Sequence, residues 1–574
     1  MTRTHPNDHK DLHWLSQYCN DWRTGESRYV RLDELTDQFQ VTRRTIQYWL
    51  NRLHDQGWIN WQPQRGRGRL PRLTLLRSPQ ASLQQRAVTL IEQQKVDQAL
   101  RLVPESQRAE LLVKVLNQQQ QQSNSPGGLP TQLFIPFYRG IHDLHPITAS
   151  RRTEGHLLAH IHARLVEFDC NSQQIVPSLA HHWRRTSQGY RFYLRRGVEF
   201  HDGSTVTAEA VTQCLLQVKH SSHANSRHMS SVKTIQVIDP WTLDIQLSWR
   251  NELFLHQLAD ICASVFKETG KHKDPIGCGQ FVLESRTAEH TTLIANERYF
   301  GLRALLDRIH IWTINEQLAV QLPAHIVSPS SHGEIADPYQ QLQHQELGAQ
   351  LLLFNQTLRR NRLNRFDNRA ALLHMLDFQH CPSADSEPLI RAYGFYQGRT
   401  TAVKGVTAPD HPHTLPTHLT LLTYELDIHI AQSRWLQKCL RHHGIELSIT
   451  VMTFPDFIRP QNIKAFDLIL TGEVFSEDTE LSFYEFFACN TMLDACLPKT
   501  LQQSVLKQAQ KIAAGQDHRD QGFIELEDGC LKDLLWLPIS HTRRKVLTSK
   551  FLQGQSLNAL GWLDFGTLWL DHQA

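Results

Sequence analysis

Apolar residues recur at helical spacing in two neighbouring segments near the start of the chain. The pattern predicts a short helix over 32–39 (LDELTDQF) and a second over 43–54, with the turn QVT between them. Thr42 is suited to cap the second helix, and Gly57 is suited to end it. The apolar faces consist of Leu32, Leu35 and Phe39 in the first helix and Ile46, Leu50 and Leu53 in the second.

The next two apolar runs are short and have the character of strands. Residues 58–61 (WINW) and 72–76 (RLTLL) predict a hairpin whose tip, QPQRGRGRLP, contains two glycines and three arginines. Two helices followed by a basic hairpin predict a winged helix-turn-helix domain over residues 1–77. Core packing is the interpretation preferred for Trp58, whereas the pattern leaves the roles of Trp49 and Trp61 open.

Residues 78–128 predict a helical segment followed by a linker. The pattern over 81–116 predicts two short amphipathic helices, the first capped by Ser82 and the second opened by Pro104. Five consecutive glutamines and the run SNSPGG follow, which is typical of a linker. The two helices are suited either to dimerise the chain or to pack on the winged helix, so the oligomeric state stays open.

From residue 129 onward, strand-like and helix-like runs alternate, which is typical of an α/β domain. The clearest example begins with LTLLTY (419–424) and continues with an amphipathic helix through Trp435 and Leu440. Gly444 then stops the helix, and IELSITVM follows as a second strand. This order predicts a βαβ unit. The fold class predicted for the whole chain is therefore α/β and multidomain.

Positive charge is concentrated between Val41 and Arg77. This segment contains eight arginines and one acidic residue, Asp55, in a chain of 574 residues whose net charge is only +3. A local excess of seven positive charges indicates a polyanion-binding surface. The candidate DNA-contacting residues are Thr42, Arg43, Arg44, Gln47, Tyr48 and Asn51 on the second helix and Arg65, Arg67 and Arg69 at the hairpin tip.

The predicted partner of this surface is double-stranded promoter DNA. Arginine, glutamine and asparagine donate to phosphates and base edges in the major groove, and an arginine-tipped ribbon is suited to a minor groove. The alternative is a protein-binding winged helix with an incidentally basic face. Three arginines at one tip argue against this alternative, because they repel one another and serve no folding purpose.

Several features predict a cytoplasmic protein that does not contact a membrane. The N-terminus, MTRTHPNDHKDLHWLSQYC, lacks the apolar core of a signal peptide, and no run of 18 apolar residues occurs. Ten cysteines are scattered without a CxxC pair, which favours reduced structural thiols.

Residues 177–211 carry a motif that resembles the signature of family 5 extracellular solute-binding proteins, the peptide-binding components of transporters. The matching residues are Pro177, Leu179, Ala180, Trp183, Leu194, Arg195, Gly197, Phe200, His201, Asp202, Gly203 and Ala208. Supporting segments lie in family order at 275–283, 296–312, 352–356, 366–377 and 466–472. The resemblance implies a two-lobed domain that closes around a solute.

A winged helix joined to this domain resembles the SgrR family of bacterial transcription regulators, whose archetype responds to sugar-phosphate stress. The resemblance implies a regulator that senses a small metabolite, such as a sugar phosphate, and binds DNA. It places lobe I at 129–351, lobe II at 352–535 and a return to lobe I at 536–574. The alternative function is the substrate-binding component of an oligopeptide-type transporter, which needs a signal peptide and has no use for a basic winged helix.

The resemblance also bears on the ligand. Peptide binders of the family hold the peptide amine with an aspartate four residues after a glycine, and this chain has Ser476 there and Glu473 directly after the glycine. Glu477 and Asp478 follow Ser476 directly. They supply the missing carboxylate only if the alignment with the family is shifted by one or two residues. The departure favours a neutral or anionic solute over a peptide. A phosphate needs arginines, so Arg391 is a candidate, together with Tyr393 in the same segment.

No catalytic or metal-binding arrangement stands out in the chain. HLLAHIH (156–162) spaces His156 and His160 for a shared metal, but it lacks the glutamate of a zincin motif and is interpreted as an ordinary helix. There is no P-loop, dinucleotide fingerprint or GxSxG sequence. The prediction is a protein that is not an enzyme and has neither a cofactor nor a metal site.

Overall fold

A computed structural model gives the fold of the chain. It describes residues 8–64, 70–92, 131–270, 273–313, 339–383, 389–396 and 415–571, apart from Asn20 and Tyr138, together with the short pieces 98–99, 102–104, 107–108, 110–111, 326–327 and 399. The described residues form two compact units. The first lies within Met1–Leu129 and Thr313–Pro323, and the second lies within Pro130–Trp312 and Ala324–Ala574.

The first unit has the element order of a winged helix. Its elements are α1 Asp8–Tyr18, β1 Ser27–Tyr29, α2 Leu32–Phe39, α3 Arg43–Asp55, β2 Ile59–Gln62, β3 Arg72–Leu75 and α4 Pro79–Glu92. The three strands form an antiparallel sheet in the order β1-β3-β2. The predicted helices and hairpin strands are confirmed, and β1 is a strand that the apolar pattern did not indicate.

Local chemistry explains where helix α3 begins and ends. The hydroxyl of Thr42 accepts a hydrogen bond from the Thr45 backbone N–H at 3.3 Å, as an N-cap should. Gly57 follows the helix with φ of +72°, a conformation that glycine adopts without strain. Ile46, Leu50 and Leu53 are completely buried, so the predicted apolar face of α3 is confirmed.

The predicted cap of the helix after the hairpin is wrong. Helix α4 begins at Pro79, and the hydroxyl of Ser78, not Ser82, accepts from the Ala81 N–H at 3.3 Å. Proline fits this first position because its missing N–H would have no partner there. Of the second predicted helix, residues 105–106, 109 and 112–116 lie outside the described residues.

The tryptophans of the first unit belong to its core. Trp61 is buried, and the Trp49 ring lies 5.5 Å from the ring of Trp14. Trp58 is half-buried against the same cluster, with the Arg77 guanidinium 6.0 Å from its ring centroid. Core packing is thus the structural role of all three tryptophans that the sequence singled out.

The second unit contains most of the secondary structure. Up to residue 345 its elements are β4 Gln132–Phe137, α5 Arg152–Ile161, β5 Val166–Asp169, β6 Gln174–Pro177, β7 Ala180–Thr186, β8 Gly189–Leu194, α6 Ala208–His220, β9 Val232–Asp239, β10 Thr242–Leu247, α7 Phe254–Ala259, β11 Phe281–Arg286, β12 His290–Ala295, β13 Arg308–Thr313, β14 Ile326–Val327 and β15 Tyr339–Gln345. Short 3-10 helices lie at Ala224–Met229 and Ile261–Ala263, and later at Arg359–Asn361 and Phe378–His380.

The later elements build a second lobe and then return to the first. They are β16 Gly348–Phe354, α8 Phe366–His374, β17 Ile390–Arg391, β18 His418–Tyr424, α9 Asp427–His442, β19 Glu446–Met452, α10 Phe454–Phe457, α11 Pro460–Ala465, β20 Leu468–Val474, α12 Thr479–Ala488, α13 Thr491–Cys496, α14 Lys499–Ala513, α15 Arg519–Lys532, β21 Trp536–His541, β22 Arg543–Ser549, β23 Leu552–Gln553 and β24 Trp569–Leu570.

Lobe II is organised around a six-stranded sheet in the order β17-β21-β16-β20-β18-β19. Alternate residues of β16 serve opposite faces: Leu351 and Leu353 join one apolar cluster, and Leu352 and Phe354 join another. Strands β18 and β19 are parallel and joined through helix α9, so the predicted βαβ unit is confirmed. Gly444 ends its helical region with φ of +75°.

Lobe I contains two four-stranded sheets, β7-β8-β10-β9 and β11-β12-β13-β4, and a three-stranded sheet, β14-β22-β15. Its core is completed from the far end of the chain, because Trp562, Phe565 and Leu568 pack in the same cluster as Leu133 and Ile135. Strand β21 belongs to the sheet of lobe II, so the chain returns to lobe I after His541 and not from residue 536.

No helix within the described residues has the length and apolar character to cross a membrane. All ten cysteines, which are all described, are free of disulfides, and eight of them are buried.

Candidate functional site

Helix α3 presents a polar face to solvent. Arg43, Arg44, Gln47, Tyr48 and Asn51 are all exposed, opposite the buried apolar face. Tyr48 is 59% exposed, although a tyrosine in a folded domain is usually better covered. The structure therefore brings together every candidate DNA-contacting residue that the sequence placed on this helix beyond its cap.

The charges on this face are largely unneutralised. The Arg43 guanidinium lies 3.4 Å from the Asp33 carboxylate, but both side chains are mostly exposed, so this ion pair is weak. The hydroxyl of Thr42 is occupied in capping α3 and positions the helix. The tip arginines Arg65, Arg67 and Arg69 lie outside the described residues.

A second candidate site is a cavity of about 870 Å³ between the two lobes of the second unit. Its volume is typical of a small-molecule site. The lining comes from lobe I and lobe II and includes Arg151, Arg152, His228, Asp260, Cys262, Arg459, Glu473, Ser476, Glu477, Glu485, Cys489 and Asn490. Polar and charged groups of both signs thus face the space between the two lobes.

Glu473 and Ser476, which the sequence proposed as ligand residues, both line this cavity. The Glu473 carboxylate accepts from the Asn490 side-chain amide at 3.0 Å. Burial raises the pKa of Glu473 to about 7, against a partial opposing effect of that hydrogen bond. The Ser476 hydroxyl lies 3.0 Å from the hydroxyl of Ser482. Both side chains are uncharged, so this position carries no negative charge.

The two acidic neighbours of Ser476 have structural partners. Asp478 is buried, lies 2.6 Å from the Nδ1 atom of His256 and accepts from the Leu481 N–H at the start of α12. Glu477 lines the cavity, and its carboxylate accepts from the backbone N–H of Ala559. Asp478 is therefore held by the protein itself.

Arg391 and Tyr393 are not among the described residues that line the cavity. The Arg391 guanidinium donates to the carbonyl oxygens of Ala392 at 2.6 Å and Ile539 at 2.7 Å, and also to that of Pro538. Its Cζ atom lies 3.7 Å from the ring centroid of Phe378. Burial lowers the pKa of Arg391 to about 10. These partners give Arg391 a structural role at the edge of the lobe II sheet.

Replacing Arg391 with leucine is expected to destabilise lobe II by about 1–3 kcal/mol, because buried carbonyls lose a charged donor. Urea unfolding followed by tryptophan fluorescence measures the change. The control is Arg434→Leu at an exposed position of α9, for which we expect less than about 0.5 kcal/mol. An Arg391→Leu chain as stable as the wild type would contradict the structural role.

The histidines of the HLLAHIH segment lie in an aromatic environment. His156 is buried with its ring 5.0 Å from that of Trp562, and the His160 ring lies 5.0 Å from that of Phe565. Burial lowers the pKa of His156 well below its ordinary value and that of His160 to about 4. Their spacing along the helix therefore serves the core of lobe I.

A further group of cavity residues was missed by the sequence reasoning. His228, Asp260 and Cys262 of lobe I lie together, and Glu485 faces them from lobe II. The Nε2 atom of His228 is 3.3 Å from a carboxylate oxygen of Glu485. Burial lowers the pKa of His228, while burial and then the charge of Asp260 raise the pKa of Glu485. The residues are scattered along the chain, so no motif signals them.

Comparison with known proteins defines the class to which this fold and cavity belong. Residues 174–381 match the family described as "Bacterial extracellular solute-binding proteins, family 5 Middle". Similar solved structures are AgaA of A. tumefaciens R10 with agropinic acid (TM-score 0.65, 17% identity, 77% of this chain and 99% of that one) and the oligopeptide-binding protein AppA of Bacillus subtilis with a nonapeptide (TM-score 0.65, 15% identity, 77% and 100%). The second unit therefore has the family 5 solute-binding fold.

The N-terminal region has its own match among known families. Residues 14–127 match the family described as "Sugar transport-related sRNA regulator N-term". The HTH-type transcriptional regulators SgrR of Salmonella choleraesuis and Photorhabdus laumondii are each 27% identical to this chain, covering 96% and 97% of it and 98% of their own lengths. The chain is therefore similar to the SgrR regulators over nearly its whole length, and the resemblance expected from the sequence is confirmed. These relatives are named as transcriptional regulators, so they do not favour the transporter-component alternative.

Proposed function

We propose that the protein is a cytoplasmic transcription regulator that binds double-stranded promoter DNA through helix α3 and a small solute between the lobes of its second unit. The observation that carries the proposal is the exposed, donor-rich face of α3 on a winged-helix scaffold. Near-full-length relatives named as HTH-type transcriptional regulators support it. DNA binding requires access to the chromosome, which supports the cytoplasmic location.

The proposed DNA-binding surface combines base readout and phosphate contacts. Arg44, Gln47 and Asn51 carry the side-chain types that pair with purine edges, and Arg43 is suited to a phosphate. The arginines at 65, 67 and 69 are proposed to contact the adjacent groove. A selection from random duplex DNA by the full chain tests this part, and failure to enrich any sequence would favour a protein-binding winged helix.

The proposed solute is a sugar phosphate or a related polar metabolite. The neutral Ser476 and the engagement of Asp478 by His256 leave the peptide-amine position without the expected free aspartate, which disfavours a peptide. Arg459 lines the cavity and keeps 57% of its side chain exposed although it pairs with Asp456 at 3.2 Å. A guanidinium of this kind suits a phosphate. Solute binding is proposed to close the lobes and bias DNA binding by a few kcal/mol at most.

A thermal-shift comparison of a hexose phosphate, the parent hexose and a tripeptide tests the solute class. At 100 times its Kd, the hexose phosphate is expected to stabilise the chain by about 2.7 kcal/mol. Arg459→Gln should reduce this shift, while Lys464→Gln, an exposed position on α11, should not. A shift with the tripeptide alone would contradict the assignment while leaving the DNA-binding proposal intact.

A further inference from the structure

Five side chains with metal-ligating atoms meet at one end of the cavity between the lobes. His228, in the 3-10 helix after α6, and Asp260 and Cys262, at the turn after α7, belong to lobe I. Glu485 on helix α12 and Cys489 directly after it belong to lobe II, and all five line the cavity. They unite the three donor types, imidazole, carboxylate and thiol, that zinc accepts.

The distances suit a single ion. The ligating atoms of His228, Asp260 and Cys262 lie within 4.8 Å of one another, and a Glu485 oxygen is 3.3 Å from His228 Nε2. Ligands around tetrahedral zinc are about 3.3–3.8 Å apart, as bond lengths of about 2.0–2.3 Å require. Adjustments of side-chain torsions therefore suffice to bring these atoms to bonding distance.

His228 has a feature that hydrogen bonding within the protein does not explain. The residue is 1% exposed, and its Nδ1 atom has no hydrogen-bond partner in the described part of the chain. An unpartnered buried polar atom costs about 1–3 kcal/mol, so it needs a compensating interaction. The other ring nitrogen faces Glu485. One ring nitrogen therefore lacks a partner, and the other lies beside a carboxylate at the edge of the cavity.

We propose that His228, Asp260, Cys262 and Glu485 form a binding site for one divalent transition-metal cation of the zinc class, at the junction of the two lobes. The donor set of one nitrogen, one sulfur and two carboxylates selects such a cation over calcium or magnesium, which prefer oxygen alone. Because three ligands come from lobe I and one from lobe II, the bound ion favours the closed arrangement of the lobes. The site goes beyond the proposed function, since it requires neither DNA nor an organic solute.

Co²⁺ binding to the full chain under reducing conditions tests the site. Purified protein stripped of metal is titrated with Co²⁺, and then Zn²⁺ is added as a competitor. We expect one Co²⁺ per chain, with a thiolate-to-cobalt charge-transfer band and visible bands of tetrahedral intensity that Zn²⁺ abolishes. Cys262→Ser should remove the charge-transfer band, and His228→Gln should weaken Zn²⁺ binding by more than about 100-fold, beyond the effect of an outer-sphere change.

Two further variants keep the test independent of folding. Glu485→Gln exchanges a largely buried side chain on the other lobe for one of nearly the same shape, so the variant should fold normally and still weaken Zn²⁺ binding. Cys278→Ser is the matched control, because Cys278 is also buried in lobe I but does not line the cavity, and its Co²⁺ spectrum should equal that of the wild type. Absence of a thiolate band in the folded wild type overturns the proposal. The proposal is also overturned if Cys489→Ser loses the thiolate band while Cys262→Ser keeps it, because the thiolate ligand would then be Cys489.

Discussion

The Arg43→Ala/Arg44→Ala double variant is expected to bind its selected DNA site at least about 30-fold more weakly than the wild type. Each arginine of a recognition helix contributes about 1–3 kcal/mol, and both side chains are exposed on α3 away from its buried face. The fold should survive, because Ile46, Leu50 and Leu53 keep their core contacts. Gel-shift titration with the duplex enriched by the wild-type chain measures the change.

The control for this prediction is Arg86→Ala, an exposed arginine on helix α4 that leaves α3 unchanged. Its affinity should stay within about twofold of the wild type, since surface changes usually cost less than about 0.5 kcal/mol. The salt dependence separates the two roles of the arginines. Loss of a phosphate contact lowers the slope of log K against log salt by about 1. Undiminished specific binding by the double variant would show that α3 is not the recognition helix.

The second large effect expected is loss of stability in mild acid. Burial is the main cause that lowers the pKa of eight histidines outside the His228 cluster: His156, His160, His162, His201, His223, His310, His429 and His541. Outside the same cluster, three glutamates, Glu473, Glu480 and Glu527, have raised pKa values and oppose the effect. The histidines outnumber them and determine the sign.

The direction follows from which state takes up protons. Below a pH of about 6.5 the unfolded chain protonates each histidine, whereas burial holds the pKa of His162 and His429 at about 3 in the folded protein. The stability is therefore complete above about pH 6.5 and is lost as the pH falls. Each proton that the unfolded chain binds in excess of the folded protein lowers the free energy of unfolding by about 1.4 kcal/mol per pH unit. The free energy of unfolding therefore falls by several kcal/mol between pH 6.5 and 5.

His162→Leu isolates one of these groups. His162 is 2% exposed, and His201, His145 and Arg164 lie close enough to lower its pKa further. The variant should lose less stability on acidification, by about 1.4 kcal/mol per pH unit. His443→Leu, at an exposed position after α9, should follow the wild type. Urea unfolding at pH 7, 6 and 5 measures how the free energy of unfolding changes with pH. An equal change with pH for His162→Leu and the wild type would contradict the assigned contribution of His162.

Local patterns predicted the elements whose periodicity is set by one buried face. Helices α2 and α3, the hairpin strands and the strands of the βαβ unit of lobe II agree with the predicted ranges to within one residue at each end. Each has an amphipathic or alternating pattern that neighbouring residues suffice to define. Strand β1 has only three residues, Ser27–Tyr29, so it offers too few positions for a pattern.

Long-range contacts explain what the sequence did not show. Arg391 looked available for a ligand, but two of its three carbonyl partners lie almost 150 residues further along the chain, on β21. His228 and Glu485 are still further apart in sequence and meet only because the lobes face each other. Glu473 and Ser476 were found at the cavity because the family resemblance supplied the alignment that periodicity lacks.

The route of the chain through lobe I affects how the protein is made. The core begun by Leu133 and Ile135 is filled by Trp562, Phe565 and Leu568, which the ribosome delivers more than 400 residues later. Lobe II is encoded between these two parts, so it emerges and folds while lobe I still exposes apolar surface. A nascent chain stalled before Phe565 therefore carries a finished second lobe beside an open first one. Such a chain is a natural substrate for chaperones and proteases.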